Sequence, residues 1–208
     1  MSGFERFNKI LNLFSEKRSS LTVAEISEEL KIPSSTIYRT VREMVLADFL
    51  ESAAGSYFRL GQAFIKFNRI INLSDPLIQA GEPFLKKLAN ENPIPSTNIL
   101  ARLFGDKVMC VADFKYPSFK NNTSYQKGRL MPLLYGATSR AIIMQIKGKR
   151  LRDILNLEGL KDNKQQKIFI SGLDKDKKKG FCKTEGQVDN GLIGFAISIN
   201  NKKLGIEA

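Results

Sequence analysis

The stretch LTVAEISEELKIPSSTIYRTV, residues 21–41, decides the fold of the first part of this 208-residue chain. Thr22 and Glu25 have the capping-box spacing, in which the side chain of each residue accepts a hydrogen bond from the backbone amide of the other. This pattern predicts a helix from about Val23 to Leu30. Pro33 ends that helix, because proline has no amide hydrogen with which to continue it.

A further helix should follow the tight turn KIP, with Ser34 or Ser35 as its side-chain cap. Its core-facing side is predicted to hold Ile37, Val41, Met44 and Val45. Its outward side is predicted to hold Ser35, Thr36, Arg39, Arg42 and Glu43, with Tyr38 at the boundary. Spacing alone leaves two interpretations open, an amphipathic helix with a solvated polar face and a helix that reads DNA.

The flanking segments favour the second interpretation. Helical spacing of apolar residues predicts a first amphipathic helix from Phe4 to Phe14. After the third helix, FLES and YFRL are β-prone pieces joined by AAGS, where Gly55 can take the positive φ of a tight hairpin. Three helices followed by a hairpin are typical of a winged helix-turn-helix domain.

The formal net charge of +12 does not decide between the interpretations, because most of it lies elsewhere. Residues 1–75 carry 10 Lys/Arg and 9 Asp/Glu, a net charge of +1, whereas residues 76–208 carry 23 and 12, a net charge of +11. Residues 147–179 alone hold 11 Lys/Arg against 5 Asp/Glu. We interpret this lysine-rich segment as solvated helix and loop surface.

Beyond Gly61, the segment QAFIKFNRIINL predicts a helix with a broad apolar stripe. The stripe, which serves either as intramolecular core or as a dimer interface, comprises Ala63, Phe64, Phe67, Ile70 and Ile71. Asp75 and Pro76 then form a second helix start, a cap followed by a first-turn proline. A domain boundary is expected near Ser74.

The remaining chain mixes helices and hairpins. TNILARLF and KVMCVADF are β-type runs joined by Gly105 and Asp106, which predict a hairpin turn. GRLMPLLYGATSRAIIMQI passes from an extended segment into an apolar helix, and GLIGFAISI and KKLGIEA are two more β-prone pieces around the turn NNKK. This order predicts an α+β domain around an antiparallel sheet.

Several classes of protein are excluded or disfavoured by composition. Histidine is absent, and the two cysteines, Cys110 and Cys182, are too far apart in sequence for a zinc spacing. No Walker-type GxxxxGK[ST] occurs, and Gly186 and Gly191 beside Asp189 are interpreted as turn residues. No signal peptide or apolar run of membrane-spanning length appears. We therefore expect a cytoplasmic protein that is not an enzyme and needs no cofactor or metal.

Over nearly its whole length, the sequence resembles the IclR-type transcription regulators of bacteria and archaea. The resemblance is carried by LTVAEISEELKIPSSTIYRTVREMVLADFLE with YFRLG, by TNILARLFGDKVMCVADF, by GLIGFAISI, and by Gly128, Pro132, Leu133 and Ala141 within KGRLMPLLYGATSRAII. It implies a winged helix-turn-helix domain over residues 1–61, a linker and dimerisation helix over 62–75, and a GAF-like effector-binding domain over 76–208. Related proteins generally continue beyond the position of Ala208, so this domain is expected to be shortened.

The resemblance also implies two sets of site residues. DNA-binding residues would be Ser35, Thr36 and Arg39 toward base edges or phosphates, Ser34, Tyr38 and Arg42 toward phosphates, Ser56, Tyr57 and Arg59 in the wing, and Thr22. Effector-binding residues would be Ala137, Thr138, Thr184, Leu192, Gly194 and Glu207. Ser139 stands where the family usually has glycine before the basic residue at position 140, which predicts a different helix entry.

The expected function is therefore sequence-specific DNA binding by a homodimer, with assembly to a tetramer left open. Operator binding would be modulated by a small-molecule effector, and both repression and activation remain open. The carboxylate at Glu207 and the bare Gly194 are unlike a receptor for an organic acid, so either the ligand differs or the pocket is vestigial. The alternative is an architectural protein that binds DNA without sequence preference.

Overall fold

The computed structural model describes residues 2–121, 123–201 and 206–207. The chain forms two compact units, Met1–Ser74 and Asp75–Ala208, which we call the N-terminal and C-terminal units. Within the described ranges, no helix has both the length and the apolar character needed to cross a membrane.

The N-terminal unit is built on the predicted capping box. The amide of Glu25 donates to the Thr22 hydroxyl (3.2 Å), and the amide of Thr22 donates to the Glu25 carboxylate (2.7 Å). The predicted helix over Val23–Leu30 is confirmed, and Lys31 ends it in the left-handed conformation, with φ of 54°.

The third helix begins differently from the prediction. Its N-cap is Pro33, whose carbonyl accepts hydrogen bonds from the amides of Thr36 (2.9 Å) and Ile37 (3.1 Å). The predicted cap by Ser34 or Ser35 is therefore wrong, because both serines already lie inside the helix. The Ser34 hydroxyl instead donates to the hydroxyl of Ser27 (3.0 Å) and so ties the third helix to the second.

A three-stranded antiparallel sheet in the order β1, β3, β2 completes the wing. Gly55 takes the predicted positive φ, 68°, at its tip. The first strand lies between the first two helices, where no strand was predicted, and the first helix ends at Leu11 rather than Phe14. The elements of this unit are α1 Gly3–Leu11, β1 Ser20–Thr22, α2 Val23–Leu30, α3 Ser34–Leu46, β2 Leu50–Ser52, a 3-10 turn Ala54–Ser56, β3 Tyr57–Leu60 and α4 Ala63–Ser74.

One hydrophobic core lies beneath α3 and joins α1, α2 and the wing. Phe7 and Phe64 meet Phe49 edge to face, with ring centroids 5.0 and 5.7 Å apart. The fully buried members are Ile10, Leu21, Ile26, Ile37, Val41, Met44 and Leu50. The core-facing side of α3 is as predicted, with Val45 only partly buried.

The C-terminal unit contains two separate antiparallel sheets, β4–β5–β6 and β7–β8, with β9 and β10 paired beside them. Helix α5, capped by Asp75 as predicted, packs on β4 and β5, whereas α6 packs on β7 and β8. The elements are α5 Pro76–Glu91, β4 Thr97–Phe104, β5 Lys107–Lys115, β6 Leu130–Pro132, α6 Ala137–Ile143, α7 Gly148–Leu157, α8 Asn163–Lys179, β7 Cys182–Glu185, β8 Ile193–Ala196, β9 Asn200–Asn201 and β10 Ile206–Glu207.

The hairpin around Gly105 is confirmed, with φ of 62° at that residue. GLIGFAISI supplies a strand of only four residues, and it pairs with β7, which was not predicted as a strand. The lysine-rich segment forms α7 and α8, in agreement with the expected helical surface. Of KKLGIEA, Ile206 and Glu207 form β10, and the other residues lie outside the described part of the chain.

Candidate DNA-reading face and ligand cavity

The outward face of α3 presents four exposed side chains at helical spacing. Ser35, Tyr38, Arg39 and Arg42 follow one another at intervals of three, one and three residues, which places them on one side of the helix. Tyr38 is 58% exposed although it is large and apolar in its ring. Ile37, Val41 and Met44 on the opposite side are buried, so the core fixes which face points outward.

Neither arginine of this face has a side-chain partner in the part of the chain that the structure describes. Arg39 and Arg42 form no ion pair with any residue in the described ranges. Their donors are therefore available to an external acceptor. Arg59 in the wing differs, because its guanidinium is paired with Glu51 on the neighbouring strand.

The remaining wing residues are exposed near the hairpin tip. Ser56 has a positive φ of 64°, and Tyr57 is 39% exposed. Both side chains are accessible to a ligand that approaches the tip.

Three predicted DNA contacts use their hydroxyls or backbone within the fold. Thr22 donates its hydroxyl hydrogen to Glu25 (2.8 Å), and its amide is bonded to the same carboxylate. The Ser34 hydroxyl points to Ser27, and Thr36 is only partly exposed. In this arrangement Thr22 retains neither its amide nor its hydroxyl hydrogen for a phosphate.

A polar contact that the sequence analysis missed holds α3 in place. Thr40, 4% exposed, accepts a hydrogen bond from Nε of Arg6 (2.7 Å) and donates to the carbonyl of Thr36 (3.1 Å). Helix α1 is thereby fixed to α3. Helical spacing offered no signal, because a threonine at this position is equally compatible with a solvated face.

The C-terminal unit contains a cavity of about 590 Å³, which we call the larger cavity. Five of the six predicted effector-binding residues line it, namely Ala137, Thr138, Thr184, Leu192 and Gly194. The sixth, Glu207, lies in β10, but its side chain is outside the described part of the structure.

Close backbone packing shapes one wall of the larger cavity. Gly136 precedes α6 with φ of 83°, and a Cβ there would lie 2.7 Å from Val188. A Cβ on Gly194 would come within 3.3 Å of both Ala137 and Thr184. Glycine at these positions lets the start of α6 approach the β7–β8 sheet.

Two hydroxyls that line the larger cavity were missed by the sequence analysis. The side-chain oxygens of Ser96 and Thr97 are buried and have no hydrogen-bond partner among the described residues. Leaving a buried polar group unsatisfied costs on the order of 1–3 kcal/mol. A hydrogen bond from a bound molecule that reached these hydroxyls would remove this cost.

One carboxylate lines the larger cavity, and the protein already satisfies it. Asp189 accepts hydrogen bonds from the amide (2.9 Å) and hydroxyl (2.5 Å) of Ser124 and from the hydroxyl of Thr123 (3.0 Å). Partial burial raises the pKa of Asp189, but these hydrogen bonds outweigh burial and hold the pKa below its ordinary value. No lysine or arginine belongs to the described lining.

The entry of α6 is shaped by Ser139, which replaces the glycine usual in the resembling family. Its buried hydroxyl lies 2.8 Å from the Tyr125 hydroxyl and donates to the carbonyl of Pro132 (2.7 Å). Arg140 does not reach the larger cavity. Its guanidinium donates twice to Asp176 of α8, at 2.9 and 2.6 Å.

Within the residues described, no group of three or more histidine, cysteine, aspartate and glutamate side chains is arranged to hold a metal ion. Both cysteines are buried, and burial raises the pKa of Cys110 to about 12 and that of Cys182 to about 11. Both are consequently protonated, unreactive thiols at neutral pH.

The helices and the three-stranded sheet give the N-terminal unit the architecture of a winged helix-turn-helix domain. Residues 5–53 match the IclR helix-turn-helix domain. The family resemblance is thus supported over the helix-turn-helix domain.

Comparisons with known proteins extend this similarity beyond the first domain. The Pca regulon regulatory protein of Pseudomonas putida is 19% identical over 204 residues, 96% of this chain and 69% of that protein. An IclR transcriptional regulator from Alicyclobacillus acidocaldarius has a TM-score of 0.79 at 20% identity, covering 99% of this chain and 84% of its own. An IclR homologue from Microbacterium hydrocarbonoxydans, complexed with 4-hydroxybenzoate, has a TM-score of 0.78 at 19% identity, covering 99% and 86%. The α+β fold class with an antiparallel-sheet second domain is confirmed.

Proposed function

We propose that this regulator binds its operator as a homodimer through the outward face of α3 and responds to a small molecule held in the larger cavity. One observation carries the DNA-binding part of the proposal. The exposed face made of Ser35, Tyr38, Arg39 and Arg42 has two arginines without an internal partner on a helix held rigidly from below. A helix of this kind fits the major groove of B-DNA.

The two arginines should have different roles. Arg39 lies nearer the middle of the exposed face, where a guanidinium can donate two hydrogen bonds to O6 and N7 of a guanine. Arg42 lies one turn toward the end of the helix and is proposed to contact a phosphate, which positions the protein without specifying sequence. No side chain caps the start of α3, which leaves the positive end of the helix dipole open to a second phosphate.

The test is a pair of variants assayed on selected operator DNA and on random DNA. Arg39→Ala should lower the ratio of specific to non-specific affinity about 5- to 150-fold, which corresponds to 1–3 kcal/mol of base discrimination. Arg42→Ala should weaken binding to both DNAs by a similar factor, because a phosphate contact is common to all sequences. Equal discrimination by wild type and Arg39→Ala would reject the proposed reading role. Circular dichroism provides the check that both variants are folded.

Dimerisation is proposed to occur through α4. Phe67, Ile70 and Ile71 lie on one side of this helix and are 43%, 49% and 51% exposed. Phe67 also stacks on Phe49, with centroids 6.1 Å apart, so part of the predicted stripe belongs to the core of the N-terminal unit. A second copy that covers the isoleucines would present two reading helices to a two-fold symmetric site.

The larger cavity is proposed to bind the effector. Its volume of about 590 Å³ falls within the range of small-molecule sites, roughly 300–1,000 Å³. The relative from Microbacterium hydrocarbonoxydans is complexed with 4-hydroxybenzoate, which supports a compact organic ligand for this fold. The unpartnered hydroxyls of Ser96 and Thr97 would hydrogen-bond that ligand.

A further inference from the structure

A second cavity of the C-terminal unit shares none of its lining residues with the larger cavity. It has a volume of about 410 Å³, and we call it the smaller cavity. Its lining comes from the end of α6, from the start of α7 and from one face of α8. On α8 the lining positions are 163, 166, 167, 170, 173, 174 and 177, which recur at helical spacing and so form a single face.

The floor of the smaller cavity is apolar. Met144, Ile146, Leu151 and Leu173 are each no more than 8% exposed, and Ile170 is partly buried beside them. These side chains belong to or pack against the main core of the unit, so the floor is held firmly. A hydrocarbon group placed on it would exchange water contact for apolar contact.

The rim of the smaller cavity is cationic. Four basic residues contribute to the lining, and they are Lys147, Arg152, Lys167 and Lys177. Asp174 is the one acidic residue among the described lining residues. None of the four basic side chains forms an ion pair with a residue in the described ranges, although four other lysines and four other arginines of the chain do.

From this combination we infer that the smaller cavity binds an anionic amphiphile, a small molecule with a carboxylate or phosphate head and a hydrocarbon body. The head would lie among the unpaired cations, whose mutual repulsion a negative charge relieves. The body would cover the apolar floor. Either feature alone would favour a different ligand. An inorganic anion gains nothing from the apolar floor, and a neutral hydrocarbon gains nothing from the cationic rim.

A nucleic acid fits the smaller cavity less well. DNA phosphates would be attracted by the rim, but the backbone cannot place an apolar group on a concave floor of buried side chains. The volume of about 410 Å³ also matches a compact ligand rather than a groove that follows an extended strand. We therefore use random DNA as a competitor in the test and do not propose it as a second ligand.

The test uses decanoate as the probe, with decanol and acetate as matched controls that lack the charge and the chain. Binding is read from the methyl resonance of Met144, which lies in the floor, with Met44 in the core of the N-terminal unit as the internal reference. Decanoate should shift the Met144 signal saturably and bind at least tenfold more tightly than decanol or acetate. The Met44 signal should not move.

Paired variants separate the rim from the rest of the lysine-rich surface. Lys167→Gln and Lys177→Gln should each weaken decanoate binding about two- to fivefold, the range expected for loss of one exposed ion pair. Lys164→Gln and Lys175→Gln, on α8 but outside the lining, should leave the affinity unchanged.

Four results would overturn the inference. They are no shift at Met144, equal binding of decanol, equal binding of acetate (an adventitious ion only), and displacement of decanoate by random DNA with the same dependence on Lys167 and Lys177.

Discussion

The two units of this protein differ in net charge, and the unit proposed to contact DNA is the less basic one. The N-terminal unit, residues 1–74, has a net charge of +2 and contains the candidate DNA-reading face, whereas the C-terminal unit, residues 75–208, has a net charge of +10 and contains the two cavities. In the N-terminal unit, acidic residues offset the basic ones overall, but Arg39 and Arg42 remain unpaired on one exposed face. Placement of a few cations on a rigid helix therefore matters more for recognition than the total charge.

The two units also differ in how apolar side chains pack beside the basic ones. Beneath α3, buried aliphatic side chains leave the outward face as the only place for its arginines. Around α8, one face lines a cavity, so basic side chains border apolar ones. The first arrangement suits a long polar partner in a groove, and the second suits a compact ligand with an apolar part.

The largest expected effect tests whether two copies of the N-terminal unit bind DNA together as a dimer. Ile71→Glu would place a carboxylate in the proposed α4 interface, so sedimentation should show a folded monomer. Operator affinity should fall about 10²- to 10⁴-fold, because two linked reading helices bind far more tightly than one. Ile71 is preferable to Phe67, whose ring also packs on Phe49.

Arg69→Glu is the control for this experiment, since Arg69 lies on the opposite side of α4. It should remain a dimer. A dimer for Ile71→Glu as well would place the subunit interface elsewhere.

The next effect concerns the walls of the larger cavity and compares two serines. Ser139→Ala removes a buried hydroxyl that contacts Tyr125 and Pro132, so the free energy of unfolding should fall by about 1–3 kcal/mol. Ser96→Ala removes a buried hydroxyl that has no partner, so the free energy of unfolding should be unchanged or slightly higher.

Urea denaturation of both variants provides the measurement. Equal destabilisation by the two substitutions would show that the Ser96 hydroxyl has a structural partner and is not reserved for a ligand.

The smallest effect separates specific reading from general attraction to phosphates. Arg42→Ala should reduce the slope of log affinity against log salt concentration by about one, as expected for one lost phosphate contact. The triple variant Lys177→Gln, Lys178→Gln, Lys179→Gln should leave the slope unchanged, although it removes three charges from the more basic unit. A slope reduced by about three in the triple variant would favour the architectural alternative.

Local rules predicted much of the N-terminal unit. The capping box of Thr22 and Glu25, the positive φ of Gly55 and the buried face of α3 each depend on residues close in sequence. Strand β1 escaped prediction because it has only three residues and pairs with a strand more than 30 residues later. The Pro33 cap escaped because its carbonyl, rather than a side chain, begins the helix.

The larger cavity was only partly predictable. Its lining positions Ala137, Thr184 and Gly194 came from family resemblance, and no spacing rule would have brought them together. The burial of the Ser96 and Thr97 hydroxyls without a partner depends on tertiary packing, because a hydroxyl near the start of a strand could equally be exposed to solvent. The smaller cavity was hidden in a segment interpreted as solvated surface, since charge counting does not show which lysines border buried apolar groups.

Helix α6 spans the distance between the two cavities of the C-terminal unit. Its first turn carries Ala137 and Thr138 of the larger cavity, and Met144, just after its last residue, lies in the floor of the smaller one. At a rise of 1.5 Å per residue, the two ends are about 10 Å apart. Arg140, midway between them, is held by Asp176 of α8, whose neighbouring residues line the smaller cavity.

A ligand that displaced α6 at one end would therefore alter the walls at the other. By thermodynamic linkage, if one ligand changes the affinity for the second by some factor, the second ligand changes the affinity for the first by the same factor. Two chemically different signals would then be combined by a helix of seven residues before either is transmitted to DNA.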